Sequence, residues 1–167
     1  MVRWFCLDAR DVDWKKLIAS LVICQFAGIF GAIFTTPAIP TWYAALEKPF
    51  FVPPSWTFSV VWPILYLLMG LALYIVWEKG WEYREVKVAM GVFGLQLFLN
   101  FLWSVLFFGL QSPFLGLMGI VILWLVILVT IVLFYRISRA AGLLLLPYIL
   151  WVSFATLLNY YIYILNP

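Results

Sequence analysis

The stretch VAMGVFGLQLFLNFLWSVLFFGLQSPFLGLMGIVILWLVILVTIVLFY, residues 88–135, carries no Asp, Glu, Lys or Arg. A helix needs about 20 apolar residues to cross a hydrocarbon core of roughly 30 Å. This stretch therefore holds two spans, residues 88–110 and 114–135, separated only by Gln111, Ser112 and Pro113. So short a connection forces an antiparallel hairpin. Inside lipid the backbone must bond within its own segment or within a closed barrel, and these runs are too long and too evenly apolar to alternate as barrel strands. They read as helices.

Working outward, three more runs free of charge appear, at residues 17–34, 58–77 and 143–165. The expected fold is an all-α membrane protein, a five-transmembrane-helix bundle. Residues 1–16 would form a short N-terminal segment and residues 17–167 one membrane domain. Composition agrees: 67% of residues are hydrophobic and 10% charged, against about 25% charged in a soluble domain. The net charge of +3 comes from a few charges concentrated in three short stretches, and no basic stripe offers itself to nucleic acid. His is absent, and Cys6 and Cys24 are far apart, so neither a metal site nor a disulfide is indicated. Asp8, Asp11 and Asp13 precede the first apolar run, and no small-residue cleavage site ends it. That run is expected to stay in the mature protein rather than serve as a signal peptide.

Arg3, Arg10, Lys15 and Lys16 precede the first span, Lys79, Arg84 and Lys87 follow the second, and Arg136 and Arg139 follow the fourth. These stretches share one side of the membrane, whereas the other side has only Lys48. The bias predicts a cytoplasmic N-terminus and an external C-terminus.

The longest connection, residues 35–57, is both proline-rich and aromatic. Pro37, Pro40, Pro49, Pro53 and Pro54 stiffen it, and Trp42, Tyr43, Phe50, Phe51 and Trp56 give it apolar surface that a solvated linker does not need. Two readings stand side by side: a stiff lid over the mouth of the bundle, or an interfacial aromatic belt with a turn.

Polar side chains within spans face the bundle interior or a cavity. Gln96, Asn100 and Ser104 recur every fourth residue, with Trp103 beside them, and form one stripe of the third helix. Trp151, Ala155 and Asn159 repeat that spacing in the fifth helix, next to a stripe of Tyr148, Val152 and Thr156. The two faces are expected to confront each other. Taken singly, such amides and hydroxyls read as interhelical glue, and Ala27, Gly31, Gly116 and Gly119 as close-packing positions. No span contains a charged residue, so proton relays, voltage sensing and ion-coupled transport of the usual kind have no candidate groups. A pocket here would be aromatic and neutral, suited to a flat, largely apolar molecule.

The run Trp42-Tyr43-Ala44-Ala45-Leu46-Glu47-Lys48-Pro49, followed by Pro53-Pro54 and Val61-Trp62, resembles the signature of the TspO/MBR family of translocator and tryptophan-rich sensory proteins. Asn100 with Trp103-Ser104, Pro147-Tyr148 with Trp151, Phe154-Ala155 and Leu158-Asn159 continue the likeness in order. The resemblance implies five helices, a pocket closed by the first loop, and binding of porphyrins, with sterols in some members. It implies ligand contacts from Tyr43, Pro53, Trp62, Asn100, Trp103, Ser104, Trp151 and Ala155, and a homodimer. It also implies light- and oxygen-dependent porphyrin breakdown in which Trp62 and Trp151 take part as catalytic residues, the porphyrin being ligand or substrate with no other cofactor. A stress-regulatory role accompanies that reading, and transport of tetrapyrroles, sterols or other lipids is its alternative. The sterol motif near the end of the fifth helix is not met, because no Lys or Arg follows Tyr160, Tyr161 or Tyr163.

Overall fold

A computed structural model of the protein describes residues 12–166; Arg3, Cys6, Asp8, Arg10 and Asp11 lie outside the described residues. The elements in order are α1 Trp14–Ala38, α2 Trp42–Ala45, α3 Trp56–Trp77, α4 Arg84–Ser104 with a π turn at Val105–Gly109, α5 Pro113–Ile137, α6 Arg139–Leu144 and α7 Leu146–Leu165. Among the described residues, five helices are long and apolar enough to cross a membrane, counting α4 with its π turn and α6 with α7. The chain folds as the expected five-helix bundle. Around its axis the order is α1, α3, α6/α7, α5, α4, closing where α4 packs on α1.

Local chemistry sets the boundaries. α1 starts at Trp14, ahead of the apolar run, because the Asp13 carboxylate accepts from the backbone N–H of Lys15 and Lys16 at 3.1 and 3.2 Å. Those bonds and the Lys16 ammonium hold the Asp13 carboxyl below its ordinary value. A group so depressed stabilises the cap at neutral pH and loses that contribution only as pH falls through the carboxylate range. At the same end Lys16 Nζ donates to Glu78 Oε1 at 3.0 Å, tying the start of α1 to the end of α3. The α3–α4 turn uses Gly80 at φ +111°.

The hairpin between α4 and α5 is as tight as its three residues require. Leu110 N–H reaches back to Val105 O at 2.8 Å, the i to i−5 bond of a π turn, and Gln111 takes a left-handed φ of 51°. Ser112 then caps α5 by accepting from Leu115 N–H at 3.3 Å. The extra residue in the π turn lets Phe107 and Phe108 both point inward, and Gly116 on α5 leaves room for Phe107.

Small residues set the helix spacing elsewhere. A Cβ at Gly70 of α3 would lie 2.9 Å from the Leu21 Cα of α1 and 3.2 Å from Ser20 O, both backbone atoms that cannot step aside. Gly70→Ala is therefore expected to destabilise the bundle by about 1–2 kcal/mol through overpacking, read as a lower unfolding midpoint in mixed micelles. By contrast Gly91 and Gly94 of α4 face open space, beside exposed Leu95 and Phe98.

Candidate functional site

Seven residues after its first residue, α3 carries Pro63, whose ring nitrogen has no hydrogen to give to the carbonyl of Ser59 one turn earlier. Opposite this stretch, α1 presents Gly28 and Gly31 on its inner face. A Cβ at Gly31 would come within 3.0 Å of Ser104 Oγ and one at Gly28 would overlap the Tyr66 ring, so α1 approaches α4 and α3 closely at these two points and presents no side-chain bulk of its own there. The result is a cavity of about 300 Å³ between α1, α3 and α4. Trp62, Phe58 and Tyr66 wall it on the α3 side, and Asn100 and Ser104 form its floor. No charged residue lines it.

The floor is held by a buried hydrogen-bond chain. Tyr66 OH donates to Asn100 Oδ1, Asn100 Nδ2 donates to Tyr148 OH at 2.8 Å, and Gln96 Nε2 donates to the same phenol at 3.0 Å. The polar stripe of α4 thus meets the Tyr148 stripe of α7, as its spacing predicts. In a medium without water each such bond removes the cost of a bare polar group.

Of the eight residues singled out in the sequence, Trp62, Asn100 and Ser104 meet at this cavity. Trp103 does not line it: only 5% exposed, it stacks on Phe107 with ring centres 5.8 Å apart and lies 6.2 Å from Trp62. Tyr43, on α2, is buried against Phe58, Phe107 and Phe108. Trp151 packs on Phe58 at 5.9 Å and on Phe154 at 5.6 Å. Ala155 is buried one turn further along α7, and Pro53 sits half-buried in the 35–57 connection. Phe58 is the shared member: it faces the cavity, yet its ring also touches the Tyr43 and Trp151 rings.

Two polar atoms in that aromatic cluster, Tyr43 OH and Trp151 Nε1, are enclosed without a hydrogen-bond partner. Burial pushes the Tyr43 phenol up to about 12, so it remains a neutral donor throughout the physiological range. Its ring also receives the Lys48 ammonium at 5.0 Å, while Lys48 Nζ donates to the carbonyls of Ala44 and Leu46.

The 35–57 connection closes over this end of the bundle. Glu47 N–H donates to Asn166 Oδ1, and Asn166 Nδ2 donates back to Glu47 O, each at 3.0 Å. Phe51 packs on Tyr161 and Phe154 of α7, and Trp42 on Phe107. The connection packs on α7 and the π turn, and of its residues Thr35, Thr36 and Ile39 line the cavity. It also has a belt component, since Phe50 is 100% exposed and Trp56 67%.

The α1 wall, with Gln25, Gly28, Gly31, Thr35 and Thr36, is absent from the sequence-based list, as is Tyr66. Gln25 carried the needed signal, being an uncharged polar side chain inside an apolar span. The glycines did not, because what they provide is space.

Comparison with known proteins agrees with the architecture. The model of the TspO/MBR family matches residues 20–165. The tryptophan-rich protein TspO of Archaeoglobus fulgidus is 50% identical over 152 residues, covering 90% of this chain and 97% of that protein. The protein of the same name from Chlorobaculum tepidum is 47% identical, over 87% of this chain and 92% of its own length. The translocator protein of Bos taurus is 33% identical over 88% of each. Five apolar helices and a match over nearly the whole chain identify an integral, multi-pass membrane protein that belongs to the TspO/MBR family.

Proposed function

We propose that this protein binds a tetrapyrrole against Trp62 and acts as a membrane sensor or scavenger of such molecules, degrading them under light. The observation that carries the reading is the uncharged cavity walled by the flat Trp62–Tyr66 stack, with ring centres 5.7 Å apart and planes at 27°. A planar, apolar macrocycle gains most from such a wall, because stacking on aromatic faces needs no charge. At about 300 Å³ the cavity is at the small end of ligand sites. Rotation of Phe58 would join it to the space beside Trp151 and Tyr43, whose unpaired N–H and O–H would then meet the ligand. The names of relatives, sensory protein in Cereibacter sphaeroides and translocator protein in mammals, fit a sensing or translocating role.

The macrocycle would supply the photochemistry. Its excited state would take an electron from an indole and pass it to dioxygen, and the indole radical cation would regain one from the macrocycle, leaving the pigment oxidised, dioxygen reduced and the indole restored with no acid, base or metal from this chain. Trp62 and Trp151 are the candidate donors, one at the cavity and the other behind Phe58. The end carrying Lys15, Lys79, Arg84 and Arg136 would face the cytoplasm. The exposed face of α4 around Gly91, Gly94 and Phe98 would pair two copies into a homodimer.

Titrating the reconstituted protein with protoporphyrin IX is expected to quench Trp fluorescence saturably, and illumination in air to consume the bound pigment. Trp62→Phe with Trp151→Phe should slow that consumption about tenfold or more while binding persists. Consumption at the wild-type rate in the double variant would remove the indoles from the chemistry.

A further inference from the structure

Exposure around the cavity is uneven in one direction. On α1, Ile29, Ala32 and Thr36 stand at its rim and are exposed, Ile29 by 57%. On α3 the rim is Ser59 and Pro63, also exposed, whereas Gly31, Tyr66, Asn100 and Ser104 at the back are buried. The cavity is therefore a slot between α1 and α3 that opens sideways. Ile29 lies mid-way along α1, where a membrane-spanning helix meets acyl chains, and the slot runs from there to the helix ends near Thr36 and Ser59.

We propose that this slot is a lateral door through which a flat, neutral-cored ligand dissolved in the bilayer reaches Trp62, and that Gln25 is its latch. This rests on the tetrapyrrole reading above and adds the route and the chemistry of the threshold. Gln25 Nε2 donates to the Pro63 carbonyl at 3.1 Å. Among the described residues it is the one side-chain hydrogen bond that joins α1 to α3 along the slot; the other α1–α3 tie, Lys16 with Glu78, lies at the far end of both helices. Near the latch Pro63 leaves the Ser59 carbonyl without its helical N–H, and the Ser104 hydroxyl stands at the back. A propionic acid at the pigment's edge, held neutral in an apolar slot, can donate to these acceptors where a hydrocarbon chain has nothing to donate, which favours the pigment over lipid tails. The lid is the poorer door. Two hydrogen bonds to Asn166 and the rings of Trp42, Tyr43 and Phe51 would have to part, and water would meet the apolar core beneath.

The test measures association and dissociation rates of protoporphyrin IX preloaded in vesicles, by stopped-flow Trp quenching of the reconstituted protein. Gln25→Ala is expected to raise both rates by about fivefold, the loss of one hydrogen bond on a gate. Locking the lid with Glu47→Cys and Asn166→Cys, joined by a short bis-maleimide in a Cys6→Ser background, is expected to leave the association rate unchanged. A tenfold slower association in the locked protein, restored when the linker is omitted, would overturn the proposal. So would unchanged rates in Gln25→Ala, or a change in dissociation alone, which would make Gln25 an ordinary ligand contact. Absence of saturable quenching in the wild-type protein would instead remove the tetrapyrrole reading, and this door with it.

Discussion

Trp103→Ala is expected to destabilise the bundle by about 3 kcal/mol while leaving the protoporphyrin affinity of the folded fraction within about threefold of wild type. The indole is buried, stacked on Phe107 at 5.8 Å, edge-on to Phe108 at 5.8 Å and 6.2 Å from Trp62, with Gly119 of α5 leaving space beside its backbone. In a soluble core a Trp truncation costs about 3–5 kcal/mol, part transfer and part cavity. Within a bilayer the transfer part shrinks, since a lipid-exposed indole is also out of water, and the lost packing remains. The figure therefore sits at the low end. Its indole N–H adds little, reaching Asn159 Oδ1 only at a long 3.5 Å. Equilibrium unfolding in mixed micelles, paired with the quenching titration, checks both halves. A variant of wild-type stability that fails to bind would make Trp103 a ligand contact after all.

The outcome for Trp103 illustrates how far residues alone reach. Charge-free runs locate the helices because lipid enforces one rule on every residue of a span. They place the ends less well, since α1 begins at the Asp13 cap and runs through Pro37, beyond the apolar run. The π turn at Val105–Gly109 has no signature in its residue types, because it arises from seating Phe107 and Phe108 against Trp103 and Gly116. The helix Arg139–Leu144 likewise hides in a connection that reads as a cationic loop. Within the site, Asn100 and Ser104 were legible as polar atoms that lipid would reject, and Trp62 through its motif. Whether an aromatic lines a space or fills it depends on its neighbours' rotamers, so Trp103 and Trp62 look alike in sequence and differ in the fold. The α1 wall was illegible for a related reason, as Gly28 and Gly31 act through the room they leave for Tyr66 and Ser104.

Asn166→Ala should loosen the lid by about 2 kcal/mol, seen as a roughly 30-fold faster hydrogen exchange of the lid amides with the spans unaffected. Its side chain makes both hydrogen bonds that join the lid to α7 at Glu47, and a net bond contributes about 1 kcal/mol. Alanine supplies neither donor nor acceptor, so Glu47 must turn to water, which at this exposed edge costs little. Phe51→Ala tests the second anchor. It removes the ring that packs on Tyr161 at 5.4 Å and Phe154 at 6.3 Å, and its effect should add to that of Asn166→Ala, because the two groups touch α7 separately. With the lid freed, water gains access to Tyr43 OH and Trp151 Nε1, which the closed fold leaves unpaired. Iodide quenching of Trp151 should rise in parallel with exchange. A lid that keeps its wild-type protection in the double variant would mean that Tyr43, wedged between Phe58 and Phe108 beneath the Lys48 ammonium, holds it shut by itself.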